Sequence, residues 1–251
     1  MEPEDPPRTE PRGGGLGPQL PLALDKQPEL NFSEYLPGPN AEGVKAICAW
    51  AQAFPEVDSD RFVYLFGPSS TGKTHLLLAA CRAAREAGLA SAYLPLDHPG
   101  LDPPILDDLE SLDRIALDGL EAVAGIPAWE HALFHLFNRL READRGLLVA
   151  SRNPYVELGI LLPDLLSRLA WGPAYRLKHL GEAECADLLR QGAERRGLPL
   201  GEEAIAYLLK RCPREPGHLL ALLGALDQAS LAQKRRPTLP LIRKLLGNQE
   251  S

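Results

Sequence analysis

The sequence predicts an α/β protein: a parallel five-stranded sheet with helices on both faces, then a small all-α lid, all preceded by a disordered N-terminal tail. Three observations predict it. The apolar run Phe62 to Phe66 leads into a glycine loop, Gly67 to Thr74, and then into a helical pattern from His75 to Glu86. Strand and helix patterns alternate from there to about Leu177, which is the signature of a parallel sheet covered on both sides. Beyond about Leu180 the strand signal stops and helical segments take over.

Taken in order, residues 1–30 form a Pro- and Gly-rich tail without apolar periodicity, expected to be flexible. Gln19-Leu20-Pro21-Leu22-Ala23-Leu24 stands out there. Leucines in such a tail dock back on the domain or enter a partner's groove. Residues 31–179 form the α/β base. Asn31 to Asn40 reads as a loop with a Pro-Gly-Pro-Asn turn. Ala41 to Phe54 reads as a helix, with Val44, Ile47, Cys48 and Ala51 on one face. After the first strand and its helix, four strands are expected at Ser91 to Leu96, Arg114 to Leu117, Gly146 to Ser151 and Ala174 to Leu177. Between the second and third of these, Ala128 to Ala143 reads as a helix burying Trp129, Leu133, Leu136, Phe137 and Leu140. Residues 180–251 form the lid: helices at Gly181 to Gly197, Gly201 to Arg211, His218 to Gln233 and Pro240 to Leu246. Glu182, Glu184, Glu202 and Glu203 fall in first turns, where the helix dipole favours negative charge.

The bulk figures exclude several classes. Hydrophobic residues are 45%, enough for a core. A net charge of −7 argues against a protein that coats nucleic acid, so DNA contact is expected to be at most indirect or weak. Cys48, Cys81, Cys185 and Cys212 form no C-x-x-C pair, so neither a zinc site nor a disulfide framework is expected, and a reducing cytoplasm is the simplest setting. No apolar run reaches the ~18 residues that span a membrane. His131 and His135 stand four apart on a helix but lack the Glu of H-E-x-x-H, so core or interface histidines are expected rather than a metal pair. Lys234-Arg235-Arg236 reads as a solvated turn, with a minor DNA or partner contact as the alternative.

The chemistry centres on Gly67-Pro68-Ser69-Ser70-Thr71-Gly72-Lys73-Thr74, which fits G-x-x-x-x-G-K-[ST]. Strand, loop and helix N-terminus together cradle phosphates with inward-pointing backbone N–H groups. Lys73 would reach the β- and γ-phosphates, and the Thr74 hydroxyl would hold Mg²⁺. Arg114 to Asp118 is an apolar strand ending in a carboxylate, so Asp118 is the second Mg²⁺ candidate. A self-activating ATPase would carry an acid next. Here Gly119 follows, with Glu121 two residues on. Losing a general base removes typically ~10²–10⁴-fold of rate, so nucleotide is expected to be held and slowly hydrolysed.

These residues carry a resemblance. The P-loop, Leu117-Asp118, Trp129 to Arg139, Leu162 to Gly172 (LPDLLSRLAWG) and the helical lid resemble the AAA+ domain of the bacterial replication initiator DnaA, and most of all its short, Hda-like relatives. Such relatives keep the AAA+ module, lack the initiator's DNA-binding domain and carry a sliding-clamp-binding hexapeptide in the tail. The chain stops after the lid, and Gln19, Leu20, Leu22 and Leu24 look like that hexapeptide. The resemblance implies ADP or ATP with Mg²⁺ as ligands, ADP being the expected resident. It places Phe32, Gly38 and Asn40 beside the adenine. It makes Arg168 an arginine finger, presented in trans to a neighbour's nucleotide. Three departures concern the chain's own γ-phosphate. They are Gly119, Arg152 with Asn153 in place of the first sensor acid, and Gly217 where a sensor arginine is expected, with Arg214 and His218 nearby.

Two functions are therefore expected to compete. One is a cytoplasmic negative regulator of replication initiation, tethered to the polymerase sliding clamp (β subunit) and promoting hydrolysis of initiator-bound ATP through Arg168. The other is an autonomous AAA+ ATPase motor of helicase-loader or initiator type. Self-association through AAA+ contacts is compatible with both.

Overall fold

The structure, a computed structural model, describes residues 30–52, 61–233 and 239–247. The hexapeptide Gln19 to Leu24 and the run Lys234 to Arg236 lie outside them. Helix α1 (Ala41–Gln52) precedes β1 (Phe62–Phe66) and α2 (Lys73–Glu86). Next come β2 (Ser91–Pro95), β3 (Arg114–Asp118), α3 (Pro127–Glu142), β4 (Gly146–Ser151), α4 (Pro163–Leu169) and β5 (Ala174–Arg176). The strands make one sheet in the order β2-β3-β4-β1-β5. Every pairing is parallel.

The sheet divides its side chains by the two-residue alternation of a strand. Phe62 and Tyr64, Ile115 and Leu117, and Leu147 and Val149 face one core, closed by α3 and α4. Val63 and Leu65, Ala116, and Leu148 and Ala150 face the other, closed by α1 and α2. The five apolar residues expected on α3 are all buried in the first core. Parallel strands covered on both faces show little alternation in the sequence, because both faces are apolar.

After β5, α5 (Glu182–Arg195), α6 (Glu202–Arg211), α7 (Pro216–Gln233) and α8 (Leu239–Gly247) build a separate apolar cluster around Leu188, Leu189, Leu208, Leu219, Leu223 and Ile242. Gly192 allows α5 and α7 to approach: a Cβ there would stand 2.7 Å from a Leu223 methyl. Among the described residues no helix is long and apolar enough to cross a membrane.

The structure adds elements that periodicity does not reveal. Asn31 to Asn40 contains two short 3₁₀ turns, Phe32–Glu34 and Gly38–Asn40. Two more, Pro103–Leu106 and Leu109–Ser111, fill the β2–β3 connection. Helix α2 starts at Lys73 rather than His75, which puts Lys73 and Thr74 in its first turn. Helix α7 starts at Pro216 rather than His218, with proline at the first helical position, where its missing N–H costs nothing. His131 and His135 are exposed rather than core residues, and no metal-ligating His/Cys/Asp/Glu cluster occurs among the described residues.

Candidate functional site

The C-terminal ends of β1, β3 and β4 lie in one row. Phe66 pairs with Ser151, and Asp118 pairs with Ala150. In an open parallel sheet this edge is where ligands bind. The glycine loop leaves β1 here. Its root is pressed between two strands: Gly67 N donates to Ser151 O at 3.3 Å, and a Cβ on Gly67 would stand 2.4 Å from the Leu177 carbonyl oxygen. Gly72 has φ +88° and leads into α2, and a Cβ there would meet the Tyr35 ring at 2.6 Å. Thr71 is buried, and its hydroxyl donates to Pro68 O at 2.9 Å. Lys73 Nζ donates to the carbonyls of Gly67 (2.7 Å) and Pro68 (2.8 Å). Burial holds its pKa below the ordinary lysine value, opposed by the charges of Asp118 and Glu121.

A cavity of about 570 Å³ opens over this loop. Ser69, Ser70, Thr71, Gly72, Lys73 and Thr74 form one wall, while Gly67 and Pro68 face a neighbouring depression with Arg152 and Arg176. Asp118, Gly119, Glu121 and Arg152 form the second wall, Glu34, Tyr35 and Leu36 the third, and the lid supplies Glu215, Pro216 and Gly217. Asp118 and Thr74 meet directly: Thr74 Oγ1 donates to Asp118 Oδ2 at 2.6 Å. The Tyr93 hydroxyl donates to the same oxygen at 3.0 Å, and burial followed by the Asp118 charge pushes its pKa far up.

The three departures take definite positions. Gly119 has φ +78°. Glu121 is committed to Arg152, accepting from its Nε and its backbone N, both at 3.1 Å. Arg152 is set there by the turn after β4, where the Tyr64 and Ser151 hydroxyls lie 2.5 Å apart and both contact Asn153 O. In the lid, Arg214 pairs with Glu182 at 3.0 Å and does not line the cavity. Its neighbour Glu215 does, and accepts a hydrogen bond from Ser70 Oγ at 2.7 Å.

The Asn31–Asn40 segment reaches the cavity through residues other than those expected. Phe32 packs on the α1–α2 core, and Gly38 lies against Leu180. Asn40 is buried and ties the segment to the end of the sheet, donating to Lys178 O (3.0 Å) and accepting from Lys178 N (2.8 Å). None of the three is a lining residue. The contact residue is Tyr35, whose hydroxyl donates to Thr71 O at 3.0 Å and accepts from Asn40 Nδ2 at 3.2 Å. An aromatic within a polar loop was the available signal.

Arg168 stands apart from this cavity. It rides on α4, a two-turn helix anchored by buried Leu165 and Leu169. Its guanidinium lies 5.7 Å from the centre of the Phe134 ring, and its Nε is buried without a hydrogen-bond partner among the described residues. Trp171 closes the helix end, stacked on Phe62 and under Arg141. At the other end Glu130, 1% exposed, accepts from Gly125 N (2.7 Å), Leu161 N (3.0 Å) and Leu162 N (2.8 Å). Leu162 is the N-cap of α4, so one buried carboxylate fixes where that helix begins.

The residues present fit a nucleotide polyphosphate with Mg²⁺. A loop that leaves no room for Cβ at Gly67 and Gly72 brings backbone N–H groups close. Those amides and Lys73 would hold phosphates, and the Thr74 hydroxyl and Asp118 would hold the cation.

This geometry, a phosphate-type loop on a parallel sheet with a helical lid beside it, defines an AAA+ module. Domain III of DnaA from Thermotoga maritima superposes with a TM-score of 0.72 at 19% identity, over 88% of this chain and 97% of that one. A replication initiator DnaA bound to AMPPCP and single-stranded DNA gives 0.69 at 22% identity, over 83% of this chain and 68% of that one. The Thermotoga maritima RuvB Holliday junction branch migration motor gives 0.59 at 18% identity, over 81% and 67%. Residues 182–246 match the family model of the Hda lid domain. The fold is thus that of an AAA+ module like domain III of DnaA, and residues 182–246 are similar to the Hda lid domain.

Proposed function

We propose that this protein is a regulator of replication initiation that holds its own nucleotide, ADP or ATP with Mg²⁺, and promotes ATP hydrolysis on the DnaA initiator. The finger is Arg168, supplied in trans. The observation that carries the reading is its placement. Arg168 lies outside the chain's own cavity, on a short helix pinned at both ends. A guanidinium presented in this way to a neighbour's γ-phosphate stabilises the charge that develops there. Slow turnover is supported because Asp118 is followed by Gly119 and the next carboxylate along the chain, Glu121, is paired with Arg152. ADP is the resident nucleotide in this reading, taken up as such and not made by turnover in the site.

The tail supplies the address. Gln19, Leu20, Leu22 and Leu24 dock in the groove of the polymerase sliding clamp, with leucines filling apolar space and the Gln amide bonding at its edge. Tethering to clamp on DNA raises the effective concentration near the initiator, so a weak contact suffices. DNA contact stays indirect, and the protein works in the cytoplasm at the replisome. Head-to-tail AAA+ contact is the geometry of the initiator encounter, and the same contact serves any self-association.

The test loads the initiator with labelled ATP and follows conversion to ADP with this protein, with and without clamp assembled on DNA. Conversion should require both. Arg168→Ala should fold, bind clamp and nucleotide, and stimulate at least ~10³-fold less, the lower end of the contribution of an arginine finger. A fully active Arg168→Ala protein refutes the reading. Turnover near one per second by the isolated chain would instead favour an autonomous motor, since typical enzyme rates begin at about that value.

A further inference from the structure

We infer that Tyr93 is a positioning residue of the cation site: its hydroxyl fixes the Asp118 carboxylate that would hold Mg²⁺ with the nucleotide. The inference rests on the reading that this cavity takes a nucleotide with Mg²⁺, and it concerns how the cation is held.

Tyr93 is the central residue of β2, at the edge of the sheet, and stands opposite Ala116 on β3. From sequence it is one more aromatic in a strand, the residue type that a half-buried sheet surface accommodates. Its ring does serve that end, packed against the core between the sheet and the α1–α2 layer. The strand that carries it is tied to α2: Ser91 Oγ donates to Cys81 O at 2.8 Å, and Cys81 Sγ donates to Ala92 O at 3.4 Å. Asp118 lies two residues beyond Ala116, so strand alternation puts its side chain on the same face as the Tyr93 ring. The Tyr93 hydroxyl reaches the cavity and donates to Asp118 Oδ2 at 3.0 Å.

Packing alone would be met by phenylalanine. The hydroxyl adds a second donor to an oxygen that already has one. Thr74 Oγ1, from the first turn of α2, donates to the same Oδ2 at 2.6 Å. Thr74 gives Asp118 its one proton and keeps its lone pairs for a cation. Asp118 Oδ1 carries no hydrogen bond among the described residues, so it is the oxygen left for the cation or its water. With one donor the carboxylate could still turn about its last side-chain bond. Two donors on one oxygen, arriving from α2 and from β2, hold that oxygen and with it the plane of the carboxylate. Removing a group that orients a metal ligand typically costs ~10–100-fold in metal affinity. Tyr93 touches neither phosphate loop nor lid through this hydroxyl, so its effect is expected on the cation and not on the phosphates directly.

The experiment titrates a fluorescent ADP analogue into the full chain, without initiator or clamp, from EDTA to millimolar Mg²⁺. The quantities read are the Mg²⁺ midpoint and the ratio of affinities with and without Mg²⁺. Tyr93→Phe keeps the ring and removes the donor. It should raise the Mg²⁺ midpoint about tenfold, the lower end of the range for an orienting group, and leave affinity in EDTA as in wild type. In an Asp118→Asn background the same change should leave whatever Mg²⁺ response remains unaltered, because the carboxylate it orients is gone. An unchanged midpoint in Tyr93→Phe, a loss equal with and without Mg²⁺, or the same shift in the Asp118→Asn background overturns the inference while leaving a nucleotide site. Wild type that binds the analogue with no Mg²⁺ response overturns the cation site, and the inference with it. Wild type that does not bind the analogue at all overturns the nucleotide reading itself.

Discussion

Replacing Glu130 with alanine tests whether one buried carboxylate sets the start of the Arg168 helix. Its two oxygens take the N–H groups of Gly125, Leu161 and Leu162, which come from two loops 36 residues apart at their near ends in sequence terms (125 and 161). Truncation leaves three amides without their acceptor. A buried donor left unpaired costs about 1–3 kcal/mol, and hydrogen bonds to charged groups are the stronger ones. Gly125 and Leu161 lie in exposed stretches, so water reaches two of the three. The expected net loss is therefore about 3 kcal/mol, near the lower end of the range for breaking a buried charged contact. For a protein of this size that corresponds to roughly 6–12 °C in Tm. Glu130→Gln should fall nearly as far, because its amide NH₂ turns a donor toward N–H groups. The assays are thermal melting and hydrogen exchange, with the Leu161 and Leu162 amides losing protection first. A Tm change under ~1 °C, or unchanged protection at those two amides, refutes the reasoning. On the proposed function, Glu130→Ala also keeps nucleotide affinity and loses stimulation of the initiator.

Two further predictions follow from the base. Gly72→Ala places a Cβ 2.6 Å from the Tyr35 ring at φ +88°, so nucleotide affinity should drop at least tenfold with far-UV circular dichroism unchanged; retained affinity in a titration would show that the loop yields. Burial pushes the Cys81 thiol up to about 12 from an ordinary value of 9.0. In the unfolded chain this thiol loses its proton first, so the unfolded state binds fewer protons and stability falls as pH rises from about 9 toward 12. At pH 8.5 Cys81 should resist iodoacetamide until the protein unfolds, read by mass spectrometry of the labelled peptide, and labelling at the unfolded rate would contradict its burial.

The sheet and the loop were legible because their signals are local. β1 and β4 are continuous apolar runs, α3 repeats its apolar residues at helical spacing, and the glycine loop is a contiguous motif. What stayed hidden depends on contacts between distant segments. Helix α4 is seven residues long, too short for periodicity to declare it. Glu130 reads as a solvated helix charge until the loops at 125 and 161–162 bring it their amides. Tyr35 and Thr71 are joined by a hydrogen bond across 36 positions, so Phe32, Gly38 and Asn40 drew attention while the clasping residue did not. Which of Arg214 and Glu215 faces the cavity depends on the rotation of α7, set by packing of Leu219, Leu222 and Leu223 in the lid core.

Local contacts also bear on whether a carboxylate could follow Asp118. A Cβ at Gly119 meets nothing closer than 3.8 Å, so space does not forbid a carboxylate there. Its backbone does resist one: φ +78° lies in the left-handed region, where a non-glycine residue costs of order 1–3 kcal/mol. Glu121 could serve only if Arg152 released it. The turn that carries Arg152 is tied down at Asn153 O by the Tyr64 and Ser151 hydroxyls, while the Arg152 side chain itself is 68% exposed. An acid at position 119 would arrive strained and would lie beside Asp97, whose Cγ stands 3.9 Å from where its Cβ would be. The backbone at 119 and the ion pair at 121 and 152 are thus separate features, and no single substitution changes both. Arg168 depends on neither, because α4 is anchored by Glu130, Leu165, Leu169 and the Trp171 stack on the far side of α3. The phosphate cavity and the helix that carries Arg168 are therefore anchored by different contacts, and each can change without the other.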